Sequence, residues 1–287
     1  MVIVGVGLIG GSIGLAIRAK GWAKRVIGVD LDPSKLQRAI AVGAVDAGES
    51  DLASAVLDAE VAVIAAPVTA TVPLVLQASR AGPDSILITD VGSTKSRIVH
   101  EVEADTQARA RFVGSHPIAG SERQGVESAR ADLFQGRICA ITPTAWTPRD
   151  RVERTRQFWT GLGATILEID PILHDAQLAL TSHLPHAVAS ALAAVVPPDL
   201  FPLAAGAYRD GTRVAGAEGP LWAGILLDNR RPILDALAAF EGKLQAFRDA
   251  LEAGDADRLA AWWDVGRTHR SRYPEASTRP RPTDDGS

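Results

Sequence analysis

Apolar and polar positions change rhythm once along this chain, near residue 170. Before that point, short apolar runs at Met1–Val4, Arg25–Val29, Val61–Ala66, Ser85–Thr89, Ile138–Thr142 and Ala164–Ile169 alternate with segments of helical period. The helical segments are predicted at Ile13–Lys20, Thr69–Ser79 and around Val152–Leu162. Apolar runs closed by turn residues are buried strands, and their alternation with helices predicts a parallel sheet covered on both faces. Beyond Asp170-Pro171 helices take over. Leu178–Val196 is nearly all apolar or small, so it must lie inside something, and a partner subunit is one such cover. In Pro232–Ala253, Leu234, Leu237, Phe240, Leu244 and Phe247 recur at helical spacing and are expected in the core. A last helix is predicted over Asp255–Arg270, anchored by Trp262 and Trp263. From Ser271 the tail is polar and Pro-rich, and disorder is expected. The expected division is therefore 1–169, 170–270 and 271–287.

Composition narrows the class without naming a function. A chain of 287 residues is long enough for about two domains. Its 46% hydrophobic and 22% charged residues are ordinary for a globular protein, and its formal net charge of -4 offers no basic surface for nucleic acid or anionic membrane. One cysteine, Cys139, excludes an internal disulfide; it is expected as a small buried hydrophobe on a strand, in a reducing compartment. No apolar run reaches the ~20 residues of a membrane span. Val2-Ile3-Val4 lacks the basic lead of a signal peptide, so a cytoplasmic location is expected.

Candidate chemistry begins at the first turn. Gly5-Val6-Gly7-Leu8-Ile9-Gly10 fits G-x-G-x-x-G between a strand and a helix. Gly5 permits the tight turn, Gly7 admits a pyrophosphate close to the backbone, Gly10 lets helix pack on strand, and the helix N-terminus adds a partial positive charge. Asp30 ends the next apolar run, where an acid accepts from both ribose hydroxyls and repels a 2′-phosphate, favouring NAD over NADP. Gly5, Gly7, Leu8, Ile9, Gly10, Asp30, the strand end Ala66-Pro67 and Ser93 form the expected cofactor lining. Ser93, in Asp90-Val91-Gly92-Ser93-Thr94-Lys95, could equally cap the helix expected to start near Thr94. His116 follows the predicted strand Phe112-Val113 and sits on a turn held by Pro117 and Gly120, where a general base would be placed. A lone histidine is more often structural, so its neighbours decide. His183 and His186 share the start of a helix; with no convincing third ligand a metal is rejected, and His183 reads as a satisfied buried histidine. Arg213 lies in a polar, glycine-punctuated turn, Tyr208–Arg213, where it could clamp a carboxylate or form a surface salt bridge.

The segments GVGLIGGS (Gly5–Ser12), DVGSTK (Asp90–Lys95), GSHPIAGSE (Gly114–Glu122), SHLPHA (Ser182–Ala187), Thr212-Arg213, Pro220-Leu221-Trp222 and Asp228-Asn229-Arg230 together resemble the TyrA family of prephenate and arogenate dehydrogenases. The resemblance spans most of the chain. It implies an α/β Rossmann-type doubly wound sheet followed by an all-α dimerisation domain, an NAD cofactor, a homodimer, and oxidative decarboxylation of prephenate or arogenate. It also implies roles: His116 as catalytic histidine, Ser93 orienting it, Arg213 holding a substrate carboxylate and His186 on the substrate side, with Ser121 and Glu122 of the HPIAGSE segment beside them. Two departures border the substrate pocket: AAGAYRDGT where the family has a GGGF approach, and Ala223-Gly224 where an acid is usual. The rivals are another Rossmann and helical-dimer oxidoreductase, such as a 3-hydroxyacid dehydrogenase, and an NAD(H)-sensing regulator without turnover.

Overall fold

The computed structural model of the chain describes residues 1–119 and 125–273. The expected βα alternation is present, with strands β1 (Val2–Val4), β2 (Ile27–Val29), β3 (Ala47–Glu49), β4 (Val61–Ile64), β5 (Leu87–Asp90) and β6 (Phe112–Val113). Between them run helices α1 (Leu8–Ala19), α2 (Pro33–Ala41), α3 (Leu52–Ala55), α4 (Val68–Ala81), α5 (Ser96–Glu103) and α6 (Thr106–Arg109). All six strands are parallel, in the order β3-β2-β1-β4-β5-β6. The order reverses beside β1, and an open α/β sheet binds ligands at such a switch point. Val2, Ile3, Val4, Ala62, Val63, Ile64, Ile86, Leu87 and Ile88 are buried, as a sheet covered on both faces requires.

A single extended sheet does not follow. Three further strands, β7 (Ser115–Pro117), β8 (Ile138–Ile141) and β9 (Thr165–Glu168), form a separate sheet in which β7 runs antiparallel to β8. The chain leaves the first sheet after Val113, and only Gly114 separates the two strands; a Cβ there would lie 2.5 Å from Thr142 Oγ1. Ser115 ties the sheets together. Its Oγ donates to Asp90 O (2.5 Å) and accepts from Trp159 Nε1 (2.9 Å) on α7 (Arg149–Gly161). Cys139 is buried on β8, and burial raises its thiol pKa.

Helices then follow: α8 (Pro171–Leu178), α9 (Leu184–Val195), α10 (Gly206–Thr212), α11 (Gly219–Asp228), α12 (Arg230–Glu252) and α13 (Ala256–Arg272). The expected single helix over Leu178–Val196 is interrupted by a π turn at Ala179–His183. Pro185, at the start of α9, has no N–H to continue the α ladder, and such widened turns recur at functional sites. Contrary to the expectation that no apolar run is long enough, the 25-residue helical run Pro171–Val195 could cross a membrane by length and composition. It nevertheless buries His174, Asp175 and His183.

The chain divides into two compact units, Met1–Ile233 and the part from Leu234 onward, with the division inside α12. In the second unit Asp255 caps α13 by accepting from Arg258 N (3.0 Å), and Phe247 packs on Trp262 (5.0 Å between ring centroids). The expected core is only partly realised there: Leu234, Leu244 and Trp263 are exposed, while Ala236 and Ala250 are buried. The helical period marks these positions for burial, and among the described residues Leu234, Leu244 and Trp263 stay exposed.

Candidate active site

The glycine turn is shaped by backbone, not side chains. Gly5 has φ +90°, and a Cβ on it would lie 2.4 Å from Ala65 O. A Cβ on Gly10 would lie 2.0 Å from Gly5 O, so helix and turn touch directly. A Cβ on Gly7 would meet nothing within 4 Å, which leaves open space over the start of α1. Its N-cap, Gly7, has no side chain to cap α1, so the first N–H groups and positive dipole end suit an anion. The helix starts at Leu8, earlier than expected, because close packing outweighs the poor helix propensity of Gly10, Gly11 and Gly14. Asp30 lies beside this turn. Its Oδ2 accepts from Val6 N (3.3 Å) and its Oδ1 from Asp32 N (3.0 Å), which orients the carboxylate and leaves lone pairs for a ribose diol. Ala66 and Pro67 lie in the link from β4 to α4, next to Ala65, on which Gly5 rests. These residues fit a dinucleotide.

His116 is the middle residue of β7 and not a loop residue as expected. It is 9% exposed. Its Nδ1 lies 3.0 Å from His174 Nε2, and His174 Nδ1 lies 2.8 Å from Asp175 Oδ1. Asp175 also accepts from Lys95 N and Ser96 N at 2.8 Å each, so it caps α5 from another helix. This settles one alternative: α5 begins at Ser96, and Ser93 is not its cap. Ser93 instead sits half-buried in the loop after β5, and β5 neighbours β7. Under the same loop, Lys95 is fully buried with its Nζ on Asp90 Oδ2; Asp90 Oδ1 accepts from Ser115 N (3.0 Å), one residue before His116. Burial lowers the His116 pKa well below the usual value of 6.5, helped by His174, Lys95 and His183, so its imidazole is neutral.

Asn229 holds His183. Its amide nitrogen donates to Asp175 O (2.7 Å), which fixes the amide orientation, and to His183 Nδ1 (3.0 Å). His183 is thus only half satisfied: among the described residues its buried Nε2 has no partner. Burial lowers its pKa to about 4. His186 donates from Nδ1 to Ser182 O (2.8 Å) and stacks on Trp222 at 3.9 Å. Asp228 bonds Thr94 Oγ1 and Arg97 Nε, fastening α11 to the loop that carries Ser93.

The segment that carries Arg213 is helical. Tyr208–Arg213 is not a turn: α10 runs to Thr212, and Arg213 opens the 3-10 turn Arg213–Gly216, exposed, where that turn packs on α9. Ser121 and Glu122 fall outside the described residues. The sequence reading put Lys95 at the ligand-binding end of the sheet, gave Asp228 and Asn229 no role, and missed His174 and Asp175 as parts of the site. The adjacent polar pair His174-Asp175 in an apolar stretch was the signal for the last two.

A doubly wound sheet with an anion cradle at its switch point, in a chain that also holds a buried neutral histidine, fits a dinucleotide-dependent oxidoreductase. Comparison with known proteins makes this specific. The families described as "Prephenate dehydrogenase, nucleotide-binding domain" and "Prephenate dehydrogenase, dimerization domain" match residues 13–168 and 170–264. The prephenate dehydrogenase of Bacillus subtilis is 34% identical over 281 residues, 96% of this chain and 76% of that protein. The structure of prephenate dehydrogenase from A. aeolicus, solved with hydroxyphenyl propionate and NAD+, superposes with a TM-score of 0.88 at 30% identity, covering 94% of this chain and 96% of the other. Synechocystis arogenate dehydrogenase gives a TM-score of 0.79 at 27% identity, over 95% and 99% of the two chains. The chain belongs to the prephenate dehydrogenase family.

Proposed function

We propose that this chain catalyses the NAD-dependent oxidative decarboxylation of prephenate to 4-hydroxyphenylpyruvate, or of arogenate to tyrosine, in tyrosine biosynthesis. The observation that carries the reading is the His116 imidazole, buried, kept neutral, and held through Nδ1 on His174, in a chain that also builds a dinucleotide cradle. Bound NAD supplies the hydride acceptor. The chain's residues do the rest. The turn at Gly5–Gly10 receives the pyrophosphate, with Leu8, Ile9, Ala66, Pro67 and Ser93 completing the lining, and Asp30 takes the ribose hydroxyls. His116 accepts the proton of the ring hydroxyl as the alcohol is oxidised, and Ser93 orients that hydroxyl. General-base assistance of this kind contributes about 10²–10⁴ in rate. Loss of the ring carboxylate as CO2 leaves an aromatic ring, which makes the reaction irreversible.

Arg213 is read as the clamp on a substrate carboxylate, with His186, Ser121 and Glu122 on the substrate side. The division 1–169 for cofactor and 170–270 for substrate and dimerisation belongs to the same reading. So do a homodimer that covers the apolar helical faces and a cytoplasmic location. Prephenate and arogenate differ only in a keto or amino side chain, so the test is NADH or NADPH formation with each substrate and each cofactor. The expected result is turnover of at least one substrate, with NAD preferred. Absence of turnover with both, alongside intact NADH binding, would overturn the reading.

A further inference from the structure

His174 is wholly buried and its ring nitrogens have two described partners, Asp175 Oδ1 on one side and His116 Nδ1 on the other. The protons along this chain follow from its fixed end. The Asp175 carboxylate takes N–H donations from Lys95 and Ser96, and an ionised carboxylate only accepts. The hydrogen between Asp175 and His174 therefore sits on His174 Nδ1. A neutral His174 then has a bare Nε2, which only accepts, so His116 donates to it from Nδ1–H. The remaining nitrogen of His116, Nε2, carries the lone pair.

We infer that His174, oriented by Asp175, is a positioning residue that holds His116 in its proton-accepting tautomer. The inference rests on His116 being the base in the proposed reaction. In the other tautomer Nε2–H would offer a proton to an alcohol that has to lose one. Asp175 also faces the positive charge that forms on His116 when it accepts the proton, through His174, and a carboxylate so placed stabilises an imidazolium. The same carboxylate caps α5, which makes an Asp175 variant hard to interpret. His174 is the cleaner probe.

The experiment uses the full chain with 15N-labelled histidine, and its six histidines give a sparse spectrum. Long-range 1H–15N correlation is expected to show wild-type His116 protonated at Nδ1 and bare at Nε2. His174→Phe keeps the ring but removes the acceptor. It is expected to populate the Nε2–H form of His116 and to lower kcat about 10²–10⁴-fold, with the substrate KM and NADH Kd unchanged. His174→Gln restores an acceptor and is expected to recover most of kcat. A wild-type His116 found as the Nε2–H tautomer, or a His174→Phe enzyme within twofold of wild-type kcat, would overturn the inference. If the Phe variant does not fold, the wild-type spectrum and the Gln variant still decide. The spectrum needs no turnover, so a wild-type protein inactive on both substrates but showing Nδ1–H would sink the dehydrogenase reading and leave the tautomer assignment standing.

Discussion

The glycine cradle and the histidine cluster are built on opposite principles. The cradle is contiguous: one turn of six residues and an acid some twenty further on, shaped by backbone contacts such as the one between Gly5 and Ala65 O. The cluster is assembled from distant stretches, with Asp90 and Lys95 after β5, His116 on β7, His174, Asp175 and His183 along the broken helix, and Asn229 at the end of α11. Substitution in the cradle changes steric fit at one place. Substitution in the cluster changes which atoms carry protons.

The sharpest separation of the two comes from His116→Asn. It is expected to lower kcat by about 10²–10⁴ while NADH affinity, read by fluorescence quenching, stays within a factor of two. A loss of NADH binding in that variant would show that cradle and cluster are one unit. Next is Arg213→Ala, where losing a charge-assisted bond of roughly 1.5–3 kcal/mol raises the substrate KM about 10- to 150-fold and leaves kcat nearly unchanged. An unaltered KM in steady-state assays would place the carboxylate clamp on another residue. The cradle is probed by Gly10→Ala against Gly7→Ala. The first forces a methyl into backbone and is expected to cost about 1–3 kcal/mol of stability as well as NADH affinity. The second meets open space and is expected to weaken NADH binding with the unfolding midpoint unmoved. Equal midpoints for both variants would break the distinction.

The smallest effect is on stability against pH. His116 and His183 titrate below their ordinary range when folded, so the unfolded chain binds more protons between about pH 6.5 and 4. Stability is therefore full above pH 6.5 and falls as the pH drops through that window. The carboxylates of Asp32, Asp51 and Asp105 are also shifted, but downward from 3.8, so their contribution disappears only in stronger acid. Urea midpoints at pH 7.5 and 5 should differ in wild type and draw together in His183→Asn.

The contrast also explains what could be read from the chain. The cradle, Asp30 and the parallel strands were legible because G-x-G-x-x-G and continuous apolar runs are local signals. β7 was not, since three residues just past Gly114 carry no periodicity and their antiparallel pairing depends on β8. Asp175 as the cap of α5 could not be seen either: capping is read from the residue just before a helix, and here the cap comes from eighty positions away. The segment bearing Leu234, Leu244 and Trp263 shows the opposite failure. Its pattern correctly marks apolar residues, but the pattern does not say whether the same chain or a second copy covers them.

The neutral imidazole is tested most directly by kcat/KM for the turned-over substrate as a function of pH, in wild type and in His116→Asn. Protonation disables the base, so the lowered pKa of His116 predicts a wild-type acid limb with an apparent pKa below 6.5 that is missing from the variant. A limb at or above 6.5, or the same limb surviving in His116→Asn, would contradict the account.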